Sequence, residues 1–269
     1  MLSKWNFEDN HATYRTLVEL SEEKSRFVSS RRCKHFFASI AYSLLAEVSK
    51  TPEPGQTLVS LSAVSDSLGS RGALWELFSD SPATLNLYVR LCASCEYLAT
   101  ILKTNPGMLD ELLDALQRDA LPSREYLEEH LDELTRGALD LELILSGFKS
   151  TQHLRIGVRD ILKQDDISET LRALSDVAEL CLQRVADTQL KRQLQRHNIE
   201  LPSDGWETFP FVVLALGKMG GREPNYHSDL DVIFFHDNCP ALTEQLPSCL
   251  LYTSPSPRDQ RGSRMPSSA

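Results

Sequence analysis

Hydrophobic residues recur every three or four positions through most of the first two hundred residues. One such stripe contains Phe36, Phe37, Ile40, Ala41, Leu44, Leu45 and Val48. This spacing is typical of one face of an α-helix. Further helices are predicted over 61–68, 72–78, 83–103, 106–117 and 123–148, separated by loops at the proline- and glycine-containing segments 51–55, 105–107 and 121–123.

Polar residues predict where two of these helices begin. Asp166 is followed three residues later by Glu169, which is the spacing of a capping box. Ser123 precedes another helical stretch and is expected to be its N-cap. The helix that starts at Asp166 is expected to bury the apolar stripe Ile167, Leu171, Leu174, Val177, Cys181 and Val185.

The pattern changes after residue 198. Two dense apolar runs, 209–216 and 230–235, predict two buried strands. The fold class predicted for the whole chain is therefore mainly α with a C-terminal α/β portion, in which a helical bundle precedes the strands.

Charge and composition narrow the possible functions. The 269 residues carry a net charge of −10, which argues against a binding partner that is a long nucleic acid. No run of 18 apolar residues occurs, so no membrane span is predicted. The first ten residues lack the apolar region of a signal peptide, and we expect a cytoplasmic protein.

Other polar groups favour structural roles. Cys92 and Cys95 have no second pair nearby and are interpreted as packing thiols of a reduced protein, not zinc ligands. The acidic residues between 110 and 140 are interpreted as a solvated helix face. The histidines stand singly, and none is assigned a catalytic role.

The join between the two apolar runs carries the candidate chemistry. A turn at Gly217-Lys218-Met219-Gly220-Gly221 lacks side chains at three positions, so backbone N–H groups could approach a phosphate. The spacing matches neither a Walker loop nor a dinucleotide-binding fingerprint. A glycine turn alone is weak support for phosphate binding.

Asp229 and Asp231 follow the turn at the start of the second run. On a strand, their Cα atoms would lie roughly 7 Å apart on one face. Charges about 6 Å apart repel by about 3 kcal/mol at an effective dielectric constant near 20. A bound Mg²⁺ would relieve this repulsion, with water and a triphosphate as the other ligands, and metal-assisted nucleotidyl transfer is predicted. The alternative is an exposed strand entry.

The segment from Gly217 to Asp231 resembles the signature of the glutamine synthetase adenylyltransferases, members of the DNA polymerase beta-like nucleotidyltransferase superfamily. The family pattern is G-K-L-G-G-x-E-L-N-[FY]-x-S-D-x-D, from which the chain departs at Met219 and at Pro224, which can reshape the turn. Residues 82–116 and 154–182 also resemble the helical connector that precedes the second catalytic domain of these enzymes.

The resemblance implies roles for particular residues. Asp229 and Asp231 would bind two Mg²⁺ ions and act in catalysis. Residues implied in ATP binding are Gly220, Gly221, Lys218 and Ser228, the last of which would support the turn. Arg222 would either contact phosphate or be a solvated charge, and the same two possibilities apply to Lys218. Glu223 and Asn225 would fix the turn.

The resemblance further implies an enzyme that transfers AMP from ATP to a tyrosine of glutamine synthetase, while a second half removes it by phosphorolysis. The chain is more similar to the adenylylating, C-terminal half. Residues 1–200 would be the connector and regulatory domain, and 201–248 the start of a truncated nucleotidyltransferase domain. A third carboxylate of the superfamily is missing, Asp237 is no obvious substitute, and the fragment is expected to be inactive alone.

Residues 249–269 are interpreted as not belonging to the natural protein. Written back into codons, 249–259 and 263–269 resemble the two ends of a transposon-type sequencing adapter, with a variable index between them. Residues 249–269 are therefore expected to be disordered adapter read-through, and the alternative is a genuine tail rich in serine and proline.

Two other functions stay open. The helical stack could be a scaffold that docks glutamine synthetase or a PII-type signalling protein. Alternatively, the same chemistry could act on another acceptor.

Overall fold

The structure is a computed structural model that describes Trp5 and residues 7–24, 30–111, 113, 120–196 and 211–236. The expected adapter read-through at 249–269 and Asp237 lie outside the described residues. The chain divides into one unit of Met1–Leu182 with Gly221–Asp229, and a second of Gln183–Gly220 with Leu230–Ala269. No described helix is long and apolar enough to cross a membrane.

The first unit is helical. Its helices are α1 (Asn10–Leu20), α2 (Ser30–Val48), α3 (Pro54–Ser67), α4 (Arg71–Asp80), α5 (Pro82–Ser94), α6 (Glu96–Thr104), a 3₁₀ turn (Pro106–Met108), α7 (Arg124–Thr135), α8 (Leu141–Leu162) and the first half of α9 (Ile167–Arg196). The described part of the second unit contains the rest of α9, β1 (Phe211–Ala215), the short α10 (Gly217–Gly220) and β2 (Val232–His236). The predicted fold class, mainly α with C-terminal strands, is confirmed.

Two hydrophobic clusters hold the first unit together. The larger is centred on Trp75, whose ring lies 5.6 Å from that of Phe37 and 5.8 Å from that of Phe78. The buried Trp75 Nε1 donates to the Leu20 carbonyl at 3.0 Å, which satisfies its one polar atom. The smaller cluster joins α7, α8 and α9 through Leu127, Leu131, Leu141, Leu145, Phe148, Ile156, Leu174, Val177 and Leu180.

Both predicted helix starts are confirmed. The Asp166 N–H donates to Glu169 Oε2 at 3.0 Å, and the Glu169 N–H donates to Asp166 Oδ1 at 2.8 Å. Ser123 Oγ accepts from the Tyr126 N–H at 3.3 Å. These side chains satisfy amides that have no partner within the first turn of a helix.

Three predicted helix boundaries were wrong. The stretch 83–103 is broken at Cys95, whose extended backbone separates α5 from α6. The stretch 123–148 is broken after Thr135, because Gly137 takes a φ of +72° and Asp140 caps α8. Helix α3 begins at Pro54, inside the expected loop, since proline is tolerated in the first turn.

The two predicted strands are present as an antiparallel pair, in register from Phe211 opposite His236 to Ala215 opposite Val232. Their predicted burial was wrong. Val212, Leu214, Ile233 and Phe235 are 60, 46, 42 and 52% exposed. Within the described residues the sheet consists of these two strands, and two strands alone leave a face uncovered.

Candidate functional site

In the second unit, the glycine bend directly follows β1. Gly217 has a φ of +55°, and a Cβ atom there would lie 2.9 Å from Asp231 Oδ2. The absence of a side chain at Gly217 therefore allows both the left-handed backbone and the close approach of the Asp231 carboxylate.

Gly220 is constrained by backbone on the other side of the bend. Its N–H donates to the Leu216 carbonyl at 2.9 Å, and a Cβ atom there would lie 2.6 Å from the Ala215 carbonyl oxygen. In this structure the Gly220 amide is thus used within the short α10. Met219 is buried beside it, whereas Lys218 is exposed.

Asp229 and Asp231 lie just before β2, which begins at Val232. Asp229 belongs to the first unit and Asp231 to the second. The Asp231 carbonyl accepts from the Leu216 N–H at 2.8 Å, which continues the pairing of the strands by one residue. Both aspartates are exposed. Their charges are therefore not buried beside the apolar strand, and no metal is needed to offset a cost of burial.

The segment Gly221–Asp229 contains a hydrogen-bonded turn. The Asn225 N–H donates to Ser228 Oγ at 2.8 Å, the His227 N–H donates to Asn225 Oδ1 at 3.0 Å, and the Ser228 N–H donates to the Asn225 carbonyl at 3.1 Å. The Ser228 hydroxyl also donates to Asn225 Oδ1 at 3.0 Å. Asn225 and Ser228 thus fix the backbone immediately before Asp229.

Arg222 is held by helix α9. Its Nη2 lies 2.6 Å from Asp176 Oδ1, and its Nη1 lies 2.8 Å from Glu179 Oε1. The Arg222 side chain is 42% exposed, and its guanidinium is paired with these two carboxylates. Whether it contacts phosphate stays a prediction.

Tyr226 packs among aromatic rings of the same unit. Its ring centroid lies 6.0 Å from that of Tyr97 and 5.9 Å from that of His153, and its hydroxyl donates to Asp160 Oδ2 at 3.3 Å. Burial, followed by the negative charge of Asp160, raises the pKa of Tyr226. The hydroxyl therefore stays protonated as a donor.

The histidine that contacts the Tyr226 ring edge to face is buried. His153 Nδ1 is hydrogen-bonded to the Tyr97 hydroxyl at 2.8 Å. Burial, followed by the charge of Lys149, lowers the pKa of His153 to about 4. Sequence reasoning missed Tyr97, His153 and Asp160 because they lie 66 or more positions before Tyr226 and form no local motif.

The candidate ligands for a cation are carboxylates. In the part of the chain that the structure describes, no three His, Cys, Asp or Glu side chains converge on one point. Carboxylate oxygens, such as those of Asp229 and Asp231, are hard ligands that suit Mg²⁺ when water and phosphate complete its coordination. The chemistry of these donors fits Mg²⁺ and does not fit a metal that requires thiolates.

Comparisons with known proteins agree with the motif. A family profile described as glutamate-ammonia ligase adenylyltransferase matches residues 85–246. The bifunctional glutamine synthetase adenylyltransferase/adenylyl-removing enzyme of Methylococcus capsulatus is 32% identical over 203 residues, which are 72% of this chain and 21% of that protein.

Two further relatives carry the same name. The protein of Chromobacterium violaceum is 28% identical over 88% of this chain, and that of Pseudomonas aeruginosa is 27% identical over 89%. The chain spans about a fifth to a quarter of the length of these curated relatives. With the family profile matching more than half of its residues, the chain belongs to the glutamate-ammonia ligase adenylyltransferase family.

Proposed function

We propose that this chain supplies a helical connector (residues 1–200) and the beginning of a nucleotidyltransferase domain (201–248) to an enzyme that transfers AMP from ATP to a tyrosine of glutamine synthetase. Family membership and the printed names of the relatives support the proposal. The observation that carries it is the glycine bend, in which the missing side chain of Gly217 leaves room for the Asp231 carboxylate.

The residues of this segment have distinct tasks in the proposal. Asp229 and Asp231 hold Mg²⁺, which supplies charge neutralisation at the phosphate under attack. Lys218 is exposed within the bend and binds phosphate oxygens, together with the backbone at Gly221. Gly220, whose N–H donates to the Leu216 carbonyl, contributes to ATP binding through its missing side chain, which lets the phosphate approach. Ser228 fixes the turn that presents Asp229.

The same proposal covers partners, location and the reverse reaction. Glutamine synthetase is the acceptor, a PII-type protein is a regulatory partner, and the enzyme acts in the cytoplasm. We further propose that a second half of the full-length enzyme removes AMP by phosphorolysis, and the words 'adenylyl-removing enzyme' in the name of the relative support the removal. Because a third carboxylate is needed to complete the superfamily's site, the chain by itself transfers no AMP.

Calorimetric titration with Mg²⁺-ATP tests the binding step. The native chain is expected to bind, and the double change Asp229→Asn with Asp231→Asn is expected to weaken affinity by tenfold or more, because the amides carry no charge for the cation. The matched control is Glu128→Gln with Glu129→Gln, which removes two exposed carboxylates from α7.

Equal affinity in the native chain and the aspartate double variant would contradict the assignment of the metal ligands. Transfer of labelled AMP from ATP to glutamine synthetase by the 269-residue chain would contradict the proposed need for a further carboxylate.

A further inference from the structure

Two carboxylates on α9 bind two arginines at once. Asp176 and Glu179, here called the α9 carboxylate pair, lie three residues apart on the helix and are 16% and 27% exposed. Arg222 places one nitrogen on each, at 2.6 Å from Asp176 and 2.8 Å from Glu179. Arg124, the first residue of α7, contacts the same two carboxylates through Nη1.

The pairing of position 222 with both carboxylates requires an arginine. A planar guanidinium can offer separate nitrogens to two carboxylates, whereas a lysine ammonium is a single point charge on a flexible stem. The carboxylates are only partly exposed, whereas Arg124 and Arg222 are 36% and 42% exposed, so water screens each pair in part and the network acts mainly through its geometry. Helix α7, helix α9 and the segment Gly221–Asp229 therefore meet in one network of two positive and two negative charges.

The backbone at Arg222 needs such support. Its φ of +54° lies in the left-handed region, which costs about 1–2 kcal/mol for a residue that has a Cβ atom. A left-handed conformation of a residue with a side chain persists where surrounding contacts stabilise it enough to offset its cost. The two ion pairs hold the arginine in this conformation directly after Gly221.

The rest of the segment is anchored as well. Pro224 is buried, and Tyr226 packs on Tyr97 and His153 while it donates to Asp160. The turn between Asn225 and Ser228 then leads to Asp229. Contacts with the helices thus begin at Arg222 and continue to within three residues of the aspartate.

We propose that the α9 carboxylate pair is a positioning clamp that fixes the conformation of Gly221–Asp229 through Arg222, and so places Asp229. Arg222 is a positioning residue and not a phosphate ligand, since its guanidinium is committed to the two carboxylates. The role of Asp229 as a metal ligand rests on the proposed function, whereas the clamp itself does not.

Hydrogen exchange of the 269-residue chain tests the clamp. In the native chain the hydrogen bonds of the turn are expected to protect the amides of Asn225, His227 and Ser228 from exchange. Arg222→Gln, and separately Asp176→Asn with Glu179→Gln, are expected to speed their exchange about tenfold. Arg222→Lys should have an intermediate effect, because it keeps the charge but lacks the two nitrogens that pair with separate carboxylates.

Two further variants separate the ion pairs from other effects. Arg222→Gly relieves the left-handed backbone yet should still loosen the turn, since it removes both ion pairs. The control Arg172→Gln removes an exposed arginine from the same helix and should leave exchange unchanged. Unchanged exchange in both Arg222→Gln and the carboxylate double variant would overturn the clamp.

Affinity for Mn²⁺-ATP, measured by water proton relaxation, tests positioning apart from simple stability. Arg222→Gln is expected to weaken Mn²⁺ affinity several-fold, with little change in the melting temperature of the helices. The carboxylate double variant is expected to weaken Mn²⁺ affinity as well, but it also removes the ion pairs of Arg124 between α7 and α9, so its melting temperature should fall more. Faster exchange with unchanged Mn²⁺ affinity would overturn the placement of Asp229.

The two changes also distinguish the clamp from a phosphate-binding role of Arg222. If Arg222→Gln weakened ATP binding while the carboxylate double variant strengthened it, the arginine would be a phosphate ligand and the proposal would fail. If the native chain bound no Mn²⁺-ATP, the proposed function would fail, and the exchange comparison would still decide on the clamp.

Discussion

Glycines 217 and 220 show how single residues shape the bend. Sequence reasoning assigned the missing side chains to the approach of a phosphate. The structure shows an additional steric reason for a glycine at each position. Gly217 faces the Asp231 carboxylate in a left-handed conformation, and Gly220 lies against the Ala215 carbonyl. A glycine pattern in a sequence indicates close approach but does not identify what approaches.

A methyl group at Gly220 should destabilise the bend. Gly220→Ala would place Cβ 2.6 Å from the Ala215 carbonyl oxygen, a backbone atom that cannot move easily. We expect a loss of about 1–3 kcal/mol in the opening free energy of the β1 and β2 amides, measured by native-state hydrogen exchange.

The control for this change lies in helix α8. A Cβ atom at Gly147 would meet no atom within 4 Å, so Gly147→Ala should raise the free energy of unfolding by about 0.5–1 kcal/mol. Equal stability of the native chain and the Gly220→Ala variant would contradict the steric argument.

Helices and strands could be predicted from local signals where those signals exist. The apolar stripe of α2 and the capping box of α9 were sufficient to place both elements. The break at Cys95 was not predictable, because the periodicity continues across it and no glycine or proline marks it. Strand burial was also missed, since an apolar run reports hydrophobicity and not the presence of a covering layer.

The candidate site likewise has a part that local sequence signals predicted and a part that they did not. Asp229, Asp231 and the glycines stand within one short motif, and the sequence alone predicted them as candidates. The contacts of Arg222 with Asp176 and Glu179 bridge 43 or more positions and join the segment Gly221–Asp229 to helix α9, so no local pattern contains them.

The burial of His153 should make stability depend on pH. Tyr97 on α6 is bonded to His153 on α8, and the pKa of His153 falls from an unfolded value of 6.5 to about 4. The unfolded chain therefore binds more protons between these values. The contribution is fully present above pH 6.5 and is lost as the pH falls towards 4, at most about 3 kcal/mol.

Urea unfolding at a series of pH values measures this contribution. His153→Asn keeps a polar atom near the Tyr97 hydroxyl. Between pH 4 and 6.5 it should lower, by about one, the number of extra protons that the unfolded chain binds relative to the folded chain. His35→Asn, which changes an exposed histidine on α2, is the control. An identical pH dependence in the native chain and the His153→Asn variant would show that the imidazole titrates normally.

At the scale of the whole molecule, an acidic chain carries an exposed apolar sheet face. Val212, Leu214, Ile233 and Phe235 lie on one face of the β1–β2 pair and are each at least 42% exposed. Contiguous apolar surfaces of this kind favour association, while a net charge of −10 opposes it through repulsion between chains.

The chain should therefore self-associate more strongly as salt is raised. Sedimentation velocity is expected to show a larger mean mass in about 0.5 M salt than at low ionic strength, because salt screens the repulsion. Val212→Thr with Phe235→Thr should suppress this increase, and Val59→Thr with Leu143→Thr, exposed helical positions, should not. A monomer at every salt concentration would contradict the prediction.

The anchoring of Tyr226 also sets an order of events during synthesis. Its partners Tyr97, His153 and Asp160 are translated at least 66 codons before it, so helices α6 and α8 can form while the tyrosine is still being added. Residues that lie so far apart close a long loop when they meet, which is slow relative to helix formation. The segment that leads to Asp229 should thus be among the last parts of the first unit to settle as the polypeptide leaves the ribosome.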